Sequence, residues 1–483
     1  MPDEYVLAID QGTSSTKCVL VDRAGAVVAT GSAAVGVGYP RPGWVEQDAG
    51  EILAGVLRAA GQCLAGVRRG AVAAVGLSTQ RESALVWDRH TGEPLGPVLG
   101  WQDQRSRPIC DARRGESALI RKLSGLPLDP MFSAAKLRWL LDKSPDALVG
   151  TVDSWLLYAL TGAHQIEVGN ASRTQLLDVS TGEWSPELLG LFGIPADALP
   201  RVTPSAGELG VISGRGGPLA GLPIMAVLGD SHAALYAHTA SGAQGAPGAF
   251  AAPGTSGASA ASAAKVTYGT GSSVMRLVDT AFGDAVCSTI AWGDPAPRLA
   301  AEGNIRSSGA TVAWLADLLG VTTDRVAALA EDASSDGVVL VPAFGGLGAP
   351  WWDDAAEGLI TGLTLGAGQS QLARAALESI AHQVADVADA MGPPGVLFAD
   401  GGASANDTLM QIQADLAGVP VRRARTGNLS ALGAAHLAGR AAGFPAPAPL
   451  EYDDFHPRPG DASVRRAAWR AAVHRSTHHP AGS

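Results

Sequence analysis

The sequence predicts an α/β protein of two lobes built on mixed sheets, with a cleft between them. Three observations carry that prediction. The chain has 483 residues, and single hydrophobic cores stop growing at roughly 250–300 residues. Short β-rich runs alternate with helical patterns along most of its length, as they do where helices pack on sheets. A unit of strand, glycine- and hydroxyl-rich loop and strand occurs twice, at 5–22 and 265–278, and each copy opens a new α/β alternation.

The elements follow in order. "YVLAID" (5–10) and "KCVLVD" (17–22) flank "QGTSST", and the turn signal Ala24-Gly25 leads into a third strand within "AGAVVATGSAAV". Three strands joined by short loops make a meander. A helical pattern covers 47–68, and "VAAVGLS" (72–78) is a strand. The second unit begins with "KVTYGTGSSVMRLV", continues with the strand "STIAWG" and the strand-to-helix passage "LAAEGNIRSSGATVAWLADLLG", and alternates until about residue 440. These place the first lobe at 1–240 and the second at 265–450. Between them, 241–264 is almost pure Ala, Gly, Ser and Pro, too poor in apolar side chains to order itself, and is expected to be a mobile surface loop. Residues 451–483 are expected to form a tail with a short helix that frays, without chemistry.

Hydrophobic residues make up 46% of the chain and charged ones 17%, which supports a large core. A net charge of −11 without a basic block argues against nucleic acid as a partner, so a small anion must be held by local donors. Cys18, Cys63, Cys110 and Cys287 are far apart, without metal-ligand spacing, and read as reduced thiols. The opening "MPDEYVLAID" has no basic n-region, and no apolar run reaches the ~18 residues of a membrane span. A soluble cytoplasmic protein is expected; homo-oligomerisation is left open.

The opening hairpin combines groups that suit an anion with one that repels it. Gly12 suits a tight turn, Thr13, Ser14 and Ser15 add hydroxyl donors, and Lys17 adds a positive charge, while Asp10 ends the first strand. Phosphate together with a magnesium ion held by Asp10 reconciles them; an ordinary polar β-turn is the alternative. The second hairpin, Thr267-Tyr268-Gly269-Thr270-Gly271, offers the same kind of loop from the other lobe. A phosphate cradle on each side of a cleft suits a nucleoside triphosphate, although no G-x-x-x-x-G-K-[ST] is present.

The ordered set "DQGTSSTK", "YPRPGWVEQD", "STQRESALVWD", "GWQDQRS", "DPMFSAAKLRWLLD", "TVDSWLLYALTG", "NASRTQLLDV", "GDSHAAL", "TYGTG", "VPAFGGLGAPWWD" and "DGGASANDTLMQIQAD" resembles the FGGY carbohydrate kinases, and within them the glycerol kinase group. The resemblance spans about 5–440. It implies an actin-like, ribonuclease H-like fold that moves the γ-phosphate of ATP, with Mg2+, to a hydroxyl of a sugar or polyol, here glycerol or a close polyol. It puts the catalytic base on Asp230, where "LPIMAVLGD" reads independently as a strand running into a helix; a helix N-cap is the alternative reading of that aspartate. It puts Thr270 and Gly271 on phosphates, Gly309 beside the nucleotide, and Gly402 and Asn406 against adenosine. Arg81, which only donates, and Glu82, which only accepts, suit adjacent substrate hydroxyls. A surface ion pair is the ordinary reading of such neighbours, which their place in "TQRE" of the resemblance overrides. Trp101 offers an apolar face, with a core tryptophan as the alternative.

Around the expected pocket the sequence departs from that group. Met131 replaces a tyrosine, Ser231 a glutamine and Ser273 an aromatic residue, which opens space and favours, as the alternative acceptor, a four- or five-carbon polyol or ketose such as erythritol, xylulose or ribulose. Arg306 replaces an apolar residue, with no contact assigned to it. A nucleotide-dependent switch on the same fold is disfavoured because Arg81, Glu82 and Asp230 occur together. A dinucleotide oxidoreductase is disfavoured because no strand runs into G-x-G-x-x-G.

Overall fold

A computed structural model describes residues 4–68, 70–240, 263–281 and 283–477. Most of the segment expected to be a mobile loop, residues 241–262, lies outside them.

Two mixed sheets organise the two halves. In the first, the strands Ile224–Gly229, Val72–Thr79, Tyr5–Gln11, Ser15–Asp22 and Val27–Ala34 lie side by side in that order. Tyr5–Gln11 runs antiparallel to Ser15–Asp22 and parallel to Val72–Thr79, so the opening hairpin is extended by crossover strands on one side. The expected meander is present. Its turn is tighter than expected, because Ser15 already pairs with Ala34 and only residues 12–14 form the tip. Gly12 keeps an ordinary φ, and its N–H donates to the Ser15 carbonyl at 3.0 Å, so this turn does not depend on left-handed glycine.

The second sheet repeats the plan. Ala263–Tyr268 is antiparallel to Ser272–Val278 and parallel to Val396–Asp400, which is parallel to Val421–Ala424. Here the strand order departs from a simple meander: Pro297–Ile305 lies next to the hairpin and Cys287–Gly293 is outside it, while Tyr452–Phe455 adds the opposite edge. Both hairpins therefore sit mid-sheet with their loops at equivalent ends. A smaller sheet, Glu46–Gln47, Val98–Leu99, Ala84–Trp87 and Leu148–Thr151, extends the first half.

Two helices join the halves. Asp230–Ala240 from the first crosses Leu429–Ala441 from the second, in an apolar cluster that includes Val6, Ala74, Leu228 and Leu235 together with Met275, Leu432 and Leu437. A Cβ on Gly433 would collide with the Ala233 carbonyl, and one on Gly76 with that of Ala434, so the backbones touch there.

The C-terminal expectation needs correction. Ala462–Thr477 is a sixteen-residue helix. Its Trp469 is fully buried, donates to Asp386 at 2.6 Å and stacks on His382 at 5.1 Å between ring centroids. The sequence shows one tryptophan among arginines and alanines; only its seat on Gln369–Ala390 makes it core.

Candidate active site

Asp230 ends the buried strand Ile224–Gly229 and starts the helix that follows. Its Oδ1 accepts the Ser231 N–H at 2.6 Å and lies 3.2 Å from Arg81 Nε, and 38% of its side chain stays open to the cleft. A Cβ on Gly229 would stand 2.5 Å from Arg81 Cδ, so glycine is what lets the guanidinium pass behind the carboxylate. Burial raises the Asp230 carboxyl above its ordinary range and Arg81 opposes that rise. The group is a more basic carboxylate than usual, held in place by a cation.

Arg81 also reaches into the other half. Its Nη1 and Nη2 donate to Glu302 Oε2 and Oε1 at 2.8 and 2.7 Å, a bidentate pair. Glu302 accepts further from Ser273 Oγ at 3.0 Å and Asn304 Nδ2 at 3.0 Å, and Arg173 Nη1 stands 3.1 Å from it. Burial alone would raise the Glu302 carboxyl, but Arg173 and Arg81 outweigh it and hold it well below the usual carboxylate range. Arg173 Nε also donates to Glu82 Oε1 at 2.6 Å. Glu82 has φ +62°, an uncommon backbone for a residue with a side chain, and strain of this kind clusters at functional sites.

One cavity of about 240 Å³ collects Thr13, Arg81, Glu82, Trp101, Met131, Asp230, Ser231, Thr270, Gly271 and Ser273, with Asn304 on its wall. Thr13 comes from the first hairpin and Thr270-Gly271 from the second, and Trp101 Nε1 donates to Thr13 Oγ1 at 3.2 Å. Gly309, Gly402 and Asn406 line a separate pocket of about 580 Å³ in the second half. Gly309 packs on the second hairpin, donating to the Gly269 carbonyl at 2.9 Å, and a Cβ there would lie 2.7 Å from that oxygen.

The remaining expected residues fall beside this cavity. Asp10 receives Ser78 Oγ at 2.9 Å; burial, then the Asp230 charge, pushes its carboxyl up to about 6. Lys17 is its cross-strand partner and is exposed, as is Ser14. Ser14, Ser15 and Lys17 do not line the cavity among the described residues. Asp10 and Asp230 are close enough for the charge of one to raise the other, an arrangement that suits a divalent ion. Among the described residues no group of three or more His, Cys, Asp or Glu could cage one, and Mg2+ is commonly held by one or two carboxylates with substrate phosphates completing its shell.

Arg173, Glu302 and Asn304 were missed from the sequence. The available signal was a lone glutamate in the strand Pro297–Ile305 and a lone arginine after the small helix Val168–Ser172; Glu302 finds Arg81 and Arg173 across the cleft, and Arg173 finds Glu82 within its own lobe as well as Glu302.

The match to known proteins covers most of the chain. Residues 5–237 match the N-terminal domain, and 264–442 the C-terminal domain, of the FGGY family of carbohydrate kinases. The apulose kinase of Pectobacterium atrosepticum is 41% identical, over 98% of this chain and 99% of that protein. The glycerol kinase of Alkalilimnicola ehrlichii is 42% identical over 98% of each. The structure of Plasmodium falciparum glycerol kinase with ADP superposes with a TM-score of 0.85 at 25% identity, covering 99% of both chains. The chain belongs to the FGGY family of carbohydrate kinases. It has the two-lobed actin-like fold and is an ATP-dependent kinase of a small sugar or polyol. Among the described residues no helix is long and apolar enough to cross a membrane.

Proposed function

We propose that the protein transfers the γ-phosphate of ATP to a terminal hydroxyl of glycerol or of a close polyol or ketose, with Asp230 as the general base. The observation that carries this reading is that Asp230 shares one cavity with a hydroxyl-bearing loop from each lobe, Thr13 on one side and Thr270-Gly271 on the other. Acceptor hydroxyls pair with Arg81 and Glu82, and the carbon chain lies against Trp101. Asp230 takes the hydroxyl proton as the new O–P bond forms and the bond to ADP breaks. A positioned base contributes ~10²–10⁴-fold; alignment and charge stabilisation supply the rest. The adenosine occupies the pocket of Gly309, Gly402 and Asn406. Asp10 would hold Mg2+, which supplies neutralisation of phosphate charge, and Lys17, Ser14 and Ser15 add donors at the same loop.

A longer or branched ketose is the second reading. Met131, Ser231 and Ser273 all line the cavity and none contributes a ring, and one relative bears the name apulose kinase. The test is coupled ADP release with MgATP and glycerol, dihydroxyacetone, erythritol, xylulose, ribulose, xylitol and apulose. Saturable turnover is expected with at least one acceptor, falling ~10²–10⁴-fold in Asp230→Asn while ATP still binds. Undiminished turnover in that variant removes Asp230 from the mechanism. Turnover of pentuloses with glycerol inert selects the second reading.

A further inference from the structure

A second chamber, about 620 Å³, opens outward from the acceptor cavity. The two share Trp101, Met131, Thr270, Gly271 and Asn304 as walls, so they are continuous. The rim of this chamber is charged and comes from both lobes. Arg306, just past the strand Pro297–Ile305, sets Nη2 3.0 Å from Asp129 Oδ2 and 2.6 Å from Asp354 Oδ1, and Nη1 donates to the Gly345 carbonyl at 2.7 Å. Asp354 Oδ2 is in turn 2.8 Å from Arg107 Nη1. Asp129 and Arg107 belong to the first lobe, Arg306 and Asp354 to the second, so this chain of charges crosses the cleft mouth twice. The other oxygen of Asp129 accepts the Met131 N–H at 2.7 Å, which ties the rim to the turn carrying Met131.

The rim's charges balance, two arginines against two aspartates, so it offers no net field to an ionic ligand. It does offer alternating donors and acceptors, which suit hydroxyls because each hydroxyl both donates and accepts. The side chains of Arg306 and Asp129 keep 26% and 11% of their surface open, enough to be met from the chamber. A three-carbon acceptor held at Arg81, Glu82 and Asp230 leaves this chamber to water, whereas each further carbon carries a hydroxyl toward it.

We propose that Arg306 and Asp129 form the distal half of the acceptor site, reading hydroxyls beyond the third carbon of a neutral four- or five-carbon polyol or ketose. Because the pair spans the cleft, the same contact ties recognition of the longer acceptor to closure of the lobes. This rests on the kinase reading above.

The experiment compares wild type, Arg306→Ala, Arg306→Lys and Asp129→Asn with glycerol, erythritol, xylulose and ribulose by ADP release. In Arg306→Ala the kcat/KM for the longer acceptor, relative to that for glycerol, falls about 10–100-fold, as expected for lost hydrogen bonds to charged groups. Where glycerol is inert, KM for the longer acceptor rises by that factor and kcat changes less. Arg306→Lys recovers part of the loss. An unchanged ratio, with all acceptors losing equally, overturns the proposal, as does a wild type that uses three-carbon acceptors alone. If wild type phosphorylates nothing in the panel, the assignment of glycerol or a four- or five-carbon acceptor fails by itself. The clasp is then judged by small-angle scattering with ADP bound: Arg306→Ala must show a larger radius of gyration than wild type, and equal radii overturn it.

Discussion

Glu302 is the one carboxylate on the strand Pro297–Ile305; it takes both terminal nitrogens of Arg81 and faces Arg173, Ser273 and Asn304. Glu302→Gln leaves two buried guanidinium groups short of a carboxylate. Breaking one side of such a buried pair costs about 3–5 kcal/mol, to be read as a lower urea midpoint at unchanged m-value; an unchanged midpoint would show that water compensates the arginines. Asp10 behaves in the opposite way. Its carboxyl is raised to about 6 from an ordinary 3.8, so the folded state binds a proton more readily than the unfolded one between those values. Its ionised form therefore weakens the fold above that window, and the penalty disappears as pH falls through it. Asp10→Asn is expected to raise Tm at pH 7 while activity is lost, and wild-type kcat/KM for MgATP is expected to fall as pH drops through about 6. A lower Tm in that variant would mean that the carboxylate is favourably paired. Arg81, Glu82 and Asp230 were legible at this scale through the family motifs that contain them, since on local pattern alone a surface ion pair and a helix N-cap are the ordinary readings. Glu302 and Arg173 were not, because a lone charge in an apolar run acquires meaning only from a partner distant in sequence.

At the scale of elements, both hairpins and the strand into Asp230 were readable, because short continuous apolar runs bounded by glycine-rich turns are local signals. Strand order within the second sheet was not, since Cys287–Gly293 and Pro297–Ile305 carry similar patterns and tertiary packing decides which one borders the hairpin. The C-terminal helix illustrates the same limit. Trp469→Ala is expected to cost about 3–5 kcal/mol, because the ring fills the space against Val341, Ala343 and Leu347 and stacks on His382. Chemical denaturation measures it; a loss typical of an exposed residue would mean the helix is dispensable. At the crossing of the two central helices, Gly433→Val drives a side chain into the Ala233 carbonyl. Overpacking of this kind costs typically 1–3 kcal/mol, and because the strain lies between the lobes, kcat is expected to fall along with stability.

For the whole molecule, ligands that touch both lobes should act as bolts. A non-hydrolysable ATP analogue with acceptor stabilises the fold by mass action, about 2.7 kcal/mol at a hundredfold excess over Kd. Thermal unfolding should show the two ligands together exceeding the sum of their separate shifts, since each pre-orders the cleft for the other. Strictly additive shifts would mean that the two pockets are uncoupled. The apolar cluster uniting Leu228 and Leu235 with Leu432 and Leu437 gives that coupling its physical route.

The sequence by itself determined the two α/β halves and the paired hydroxyl loops, because each is written in neighbouring residues whose spacing fixes local geometry, and its ordered motifs carried the likeness to a kinase family that singled out Asp230 at a strand end. Only the tertiary structure decided that Glu302 and Arg173 brace Arg81 and Glu82, that Trp469 is core, and that Arg306 crosses the cleft to Asp129. Those facts depend on charges and surfaces more than a hundred positions apart along the chain or on separate elements, and a buried charge is tolerated only where folding delivers its partner.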